Sequence, residues 1–109
     1  MQTDLTPLLV AAGFPIPERE FRFSPPRRWR FDYSWPLPRA ARWKGIALEI
    51  QGGAWTQGRH TRGKGFSNDA EKFSAAAILG YCLIVATTQQ VESGEAFTWL
   101  KEAFARAQL

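Results

Sequence analysis

Trp29-Arg30-Phe31-Asp32-Tyr33-Ser34-Trp35 and, after a short connection, Ile46-Ala47-Leu48-Glu49-Ile50-Gln51 decide how this chain is read. In the first stretch the aromatic residues at 29, 31, 33 and 35 alternate with Arg28, Arg30, Asp32 and Ser34. That period of two is the signature of a strand. In the second, Ile46, Leu48 and Ile50 share one face, while Ala47, Glu49 and Gln51 share the other. Each strand thus carries one acid on its polar face, and two adjacent strands would hold the two carboxylates side by side among arginines. Two such oxygen donors are the minimum a divalent metal needs, in surroundings that favour phosphate.

Outward from this pair, Arg19-Glu20-Phe21-Arg22-Phe23 reads as an earlier strand, and Pro25-Pro26 makes the turn into the strand of Asp32. Pro36 and Pro38 close that strand, and Arg39 to Lys44 leads to the strand of Glu49. Thr3 to Ala12 is expected to be a short helix, with Asp4 or Thr6 as cap, Pro7 in its first turn and Gly13 at its end. Gly52-Gly53 breaks the third strand and opens a long polar, basic loop to Gly65 that holds the only histidine, His60. Ser67 or Asn68 should cap a helix running to about Leu79, with Asp69 and Glu71 in its first turn. Tyr81 to Ala86 is apolar throughout and reads as a buried strand. From Gln89 onward, Val91, Phe97, Leu100 and Phe104 mark a final amphipathic helix. The order α-β-β-β-α-β-α predicts a single α/β domain over residues 1–109, with a mixed central sheet flanked by helices.

Composition narrows the function. Arg19 to Lys64 holds eleven Lys/Arg against only Glu20, Asp32 and Glu49, a net of +8 in a chain of net +4. A basic middle with acidic flanks suits a polyanionic partner. No segment is long enough to span a bilayer, and the N-terminal apolar run is too short for a signal peptide, so no membrane association is expected. The single cysteine, Cys82, lies in an apolar run and reads as a core thiol, which favours the cytoplasm.

A metal-dependent phosphodiesterase needs two or three carboxylates around Mg²⁺ or Mn²⁺, with a cation nearby to offset charge in the transition state. Glu20, Asp32 and Glu49 come from three successive strands and can meet on one sheet face; the backbone carbonyl of Ile50 is a further candidate ligand. Glu18 competes with Glu20 for the third place. Arg27, Arg28, Arg30, Arg59, Arg62 and Lys64 read as phosphate contacts, which position DNA without reading its sequence. Trp55 is the tryptophan best placed to stack on a base. The loop glycines lack the spacing of a nucleotide-binding fingerprint.

A strand aspartate, a connection, then Glu49-Ile50-Gln51, a helix and another strand resembles the PD-(D/E)XK nuclease superfamily, with its restriction-endonuclease-like core. The chain is most similar to small phage and prophage members related to very-short-patch repair endonucleases. Those carry an arginine-aromatic strand like Arg27 to Asp32, a basic segment like Gly58 to Phe66 and a helix like Asp69-Ala70-Glu71-Lys72. The resemblance spans about Glu20 to Val85. It implies a Mg²⁺- or Mn²⁺-dependent endonuclease acting on duplex or branched DNA in a bacterial cytoplasm, with dimerisation expected from fold analogy.

One departure is plain. The superfamily usually places lysine two residues after the metal-binding glutamate, where this chain has Gln51. An amide can orient water but supplies no charge. Some relatives carry the lysine on the following helix, which nominates Lys72; Lys64 and His60 are the other candidates, histidine because it titrates near neutral pH. Each of these residues has an ordinary alternative. Asp32 could be a structural ion pair with Arg22 or Arg30, and Lys72 a solvated helix residue paired with Asp69 or Glu71. Two rival readings follow: a nuclease-like domain that binds nucleic acid without cutting it, and a phage structural or interaction protein.

Overall fold

The computed structural model describes residues 4–51 and 62–108, the side chains of 62–68 excepted. Along these residues run α1 (Thr6–Ala11), β1 (Glu18–Arg22), β2 (Arg30–Pro36), β3 (Gly45–Ile50), α2 (Arg62–Ile78), β4 (Tyr81–Ala86), α3 (Thr88–Glu92) and α4 (Glu95–Arg106). The strands form one mixed sheet in the order β1-β2-β3-β4. β1–β2 and β2–β3 are antiparallel, and α2 carries the chain over to a parallel β4. The α/β architecture is therefore the one the residue pattern predicts.

α1 begins at Thr6, after Leu5 as N-cap with no side-chain cap bond, where Thr3 was expected to start it under Asp4 or Thr6. Two further boundaries differ from expectation. α2 starts at Arg62, ahead of Ser67 and Asn68, so part of the expected loop is helical and Asp69 and Glu71 lie well inside the helix. Gly63 and Gly65 each cost only about 1 kcal/mol against alanine in a helix, and the helix runs through them. The C-terminal helix is two helices. Thr87 caps α3 through a reciprocal capping box with Gln90, and Gly94, at φ 91, turns the chain into α4.

The sheet separates two hydrophobic clusters. Tyr33, Trp35, Ile46 and Leu48 face Leu9 of α1, Phe14, and Ala96, Leu100 and Ala103 of α4. Phe23, Phe31, Ala47 and Tyr81 face Ala76 of α2. β3 alternates as expected, with Ile46 and Leu48 on one side and Ala47 on the other. β2 does not: Phe31 packs on the α2 side, stacked on Phe23 with ring centroids 4.0 Å apart, whereas Tyr33 packs on the opposite side. The predicted period of two therefore breaks between Phe31 and Tyr33, and Ser34, expected on a polar face, is buried.

The reason lies in the neighbouring strand. Arg19 pairs with Tyr33 and Phe21 with Phe31, but between them Glu20 adopts φ 53, a left-handed conformation rare for a residue with a side chain. β1 and β2 change sides together at this kink, and Asp32 sits where they do so.

Candidate active site

The β2–β3 register pairs Tyr33 with Leu48 and Ser34 with Ala47, so one step further Asp32 comes level with Glu49. There the backbone ladder gives way to carboxylate bonds. The Ile50 N–H donates to Asp32 Oδ2 at 2.8 Å, and the Asp32 N–H reaches Glu49 Oε1 at 3.4 Å. From α2, Lys72 Nζ donates to Glu49 Oε2. The Lys72 and Glu49 side chains are each only 13 % exposed.

Lys72 therefore follows neither of its ordinary alternatives. Glu71 pairs with Arg27 at 2.9 Å, Asp69 accepts from Gln51 Nε2 at 3.4 Å, and Lys72 turns inward to the sheet. The ordinary partners of Asp32 are occupied as well. Arg30 lies 3.9 Å from Glu20, and Arg22 donates to the Pro26 and Arg27 carbonyls.

Burial pushes the Glu49 carboxyl above its ordinary value of 4.5, and the Asp32 carboxylate adds to the rise. Lys72 opposes both through its hydrogen bond and charge without overcoming the desolvation. A buried acid held high, touching a lysine and level with a second acid, is a pattern common at functional sites.

Not every expected member joins. Glu20 is 52 % exposed and lies near Arg19 and Arg30, each at 3.9 Å. Among the described residues no three His, Cys, Asp or Glu side chains gather around one point, so the expected triad of Glu20, Asp32 and Glu49 reduces to a pair. The kink at Glu20, which strand periodicity cannot anticipate, accounts for its loss. Glu18 instead borders a shallow cavity with Phe21, Ser34, Pro36, Lys44 and Tyr81.

Of the arginines expected on phosphate, Arg27 is held by Glu71 and lies over the Trp29 ring at 3.9 Å. Arg28 and Arg30 are exposed at the same end of the sheet. His60, Arg59 and Trp55 lie outside the described residues, as do the side chains of Arg62 and Lys64. Asp69 was not anticipated as part of the site. The available signal was its position three residues before Lys72, on the same face of α2.

The two carboxylates suit a hard, oxygen-seeking cation. Oδ1 of Asp32 accepts from no described residue, and each bonded carboxylate oxygen keeps a second lone pair. Mg²⁺ commonly uses one or two carboxylates and fills its remaining positions with water. No described helix is long and apolar enough to cross a membrane. No family model, curated protein or solved structure matches the chain.

Proposed function

We propose that this chain is a metal-dependent DNA endonuclease with a restriction-endonuclease-like core, working in a bacterial cytoplasm. The observation that carries the reading is the meeting of Asp32 and Glu49, from adjacent strands, with Lys72 from the following helix. Lys72 supplies the cation that Gln51 lacks, which supports the resemblance to the PD-(D/E)XK superfamily where the sequence departs from it. Asp32 and Glu49 would hold Mg²⁺ or Mn²⁺, which when bound polarises a phosphodiester and makes water more acidic.

The chain's own groups divide the remaining work. The Ile50 N–H fixes one oxygen of Asp32 and leaves the other for ligation. Lys72 Nζ spends one N–H on Glu49 Oε2 and has two more, enough to orient an attacking water or bind a non-bridging phosphate oxygen. Gln51, tied to Asp69, borders the site without adding charge. Arg28 and Arg30 provide basic surface for the DNA backbone.

Supercoiled plasmid and a four-way junction, incubated with Mg²⁺, Mn²⁺ or EDTA, test the proposal. Metal-dependent cutting that Asp32→Ala and Lys72→Ala each abolish is the expected result; no cutting under any metal refutes it. One observation favours a second reading, binding without cleavage: each oxygen of Glu49 already accepts a hydrogen bond within the chain. That reading predicts salt-sensitive DNA binding, unchanged by EDTA, in a protein that never cuts.

A further inference from the structure

The sheet has two edges of different construction. β1 presents Glu18, Arg19, Glu20 and Arg22, all exposed, with the backbone kink in their midst. Charge and irregular backbone are how natural sheets keep an edge from pairing. β4, the opposite edge, is Tyr81-Cys82-Leu83-Ile84-Val85-Ala86, without a charge, proline or glycine. Its four central residues are only half-buried, whereas Gly45 to Leu48 on the adjacent β3 are buried completely. Parallel sheets normally have both faces covered. Just before this edge the chain leaves Ile78 84 % and Leu79 40 % exposed.

The backbone shows which groups are open. The Lys44 N–H donates to the Gly80 carbonyl at 2.9 Å, and the Gln51 N–H donates to the Ala86 carbonyl at 2.8 Å. Even-numbered residues of β4 thus turn their polar groups toward β3. By alternation the N–H and C=O of Tyr81, Leu83 and Val85 point to the outer edge, where no described residue bonds to them.

We propose that a second copy of this chain docks here, β4 pairing antiparallel with β4 of the other copy about a two-fold axis at Leu83 or Ile84. The edge is its own complement. Under a two-fold axis each residue meets a residue of the same strand, and an uncharged strand brings no like charges together. A two-fold perpendicular to the sheet also joins like face to like face, so the α2-covered sides of the two copies run on into one another. The pairing is independent of the proposed chemistry. It would set the two Glu49 carboxylates on one face of an eight-stranded sheet, three strand spacings or about 14 Å apart counted across the strands, with each Asp32 one strand further out.

Sedimentation velocity and residue-resolved amide exchange on the full chain test this. The expected particle has twice the 12.3 kDa of the chain. In it the Leu83 and Val85 amides exchange as slowly as those of Cys82 and Ile84, and they lose that protection on dilution. Leu83→Pro removes an outward N–H and spares the ladder to β3, so it should give a folded monomer. If that variant fails to fold, exchange in the wild type decides alone. A wild-type monomer overturns the proposal whether these amides are fast or slow, since slow ones would mean the chain covers its own edge. A dimer in which they exchange fast overturns it too, because its interface then lies elsewhere.

Discussion

Lys72→Met strands the Glu49 carboxylate in a site that is 13 % exposed. Breaking a buried pair by removing one partner costs about 3–5 kcal/mol. Residual water contact on both side chains argues for the lower end, about 3 kcal/mol, or a melting shift on the order of 10 °C for a domain of this size. The cost should depend on pH. Glu49 ionises above its ordinary 4.5 because burial outweighs the help of Lys72. Between 4.5 and that raised value the folded chain keeps a proton that the unfolded chain has released, so stability falls as pH rises through the window. Without Lys72 the upper limit moves higher still and the loss grows. The variant should therefore melt close to wild type near pH 4 and well below it near pH 8, read by circular dichroism. Adding Glu49→Gln removes the stranded charge and should recover most of the loss near pH 8. Equal losses at the two pH values, or a change near pH 8 of under about 0.5 kcal/mol, would refute a buried Lys72–Glu49 pair.

Asp32→Asn keeps an oxygen for the Ile50 N–H, so it should melt within about 1 kcal/mol of wild type while losing metal-dependent cleavage. A cleaving Asp32→Asn protein would remove Asp32 from the proposed chemistry. Gly45→Ala places a Cβ 3.1 Å from the Trp35 carbonyl oxygen and 3.2 Å from the Tyr81 ring, so a loss of about 1–3 kcal/mol is expected in urea unfolding. Burial raises Tyr33 and Tyr81 above 10.0 and Cys82 above 9.0. Each then holds its proton longer folded than unfolded, so stability should fall as pH climbs past about 9. Tyr33→Phe should flatten part of that decline, and an unchanged slope would show that the Tyr33 phenol does not contribute to it.

Much of the fold was legible because it rests on local chemistry. Ile46 to Gln51 alternates, and β3 separates its two faces accordingly. Gly13, at φ 101, follows the helix it was expected to end, and the second helix gives way near Leu79 as expected, with Gly80 at φ 97. What failed lies in pairs of elements. Trp29 to Trp35 alternates just as cleanly, yet Phe31 and Tyr33 pack on opposite sides because of a backbone turn at Glu20 in the neighbouring strand. No periodicity within one strand can report a kink in another, and the same kink removed Glu20 from the expected triad. The expected single helix from Gln89 onward is split at Gly94, whose left-handed conformation at φ 91 the apolar spacing of Val91, Phe97, Leu100 and Phe104 does not reveal.

The site shows the same division. Asp32 and Glu49 come level by register, which alternation and a short connection could suggest. Lys72 needed α2 to lie across the sheet at one particular rotation. Three contacts of that helix fix it: Glu71 on Arg27 at the hairpin, Ala76 among Phe31, Ala47 and Tyr81, and Lys72 on Glu49 between them. Lys72 and Ala76 are one turn apart, so the stripe that buries alanine against the sheet also carries the ammonium to the carboxylate. A lysine one helical turn from a buried alanine is therefore a different object from a lysine on a solvated face. Its neighbours Asp69 and Glu71 bind Gln51 and Arg27 rather than Lys72. This rotation also makes the Lys72→Met prediction specific: had α2 been turned by one residue, Phe73 would face Glu49 in place of the ammonium.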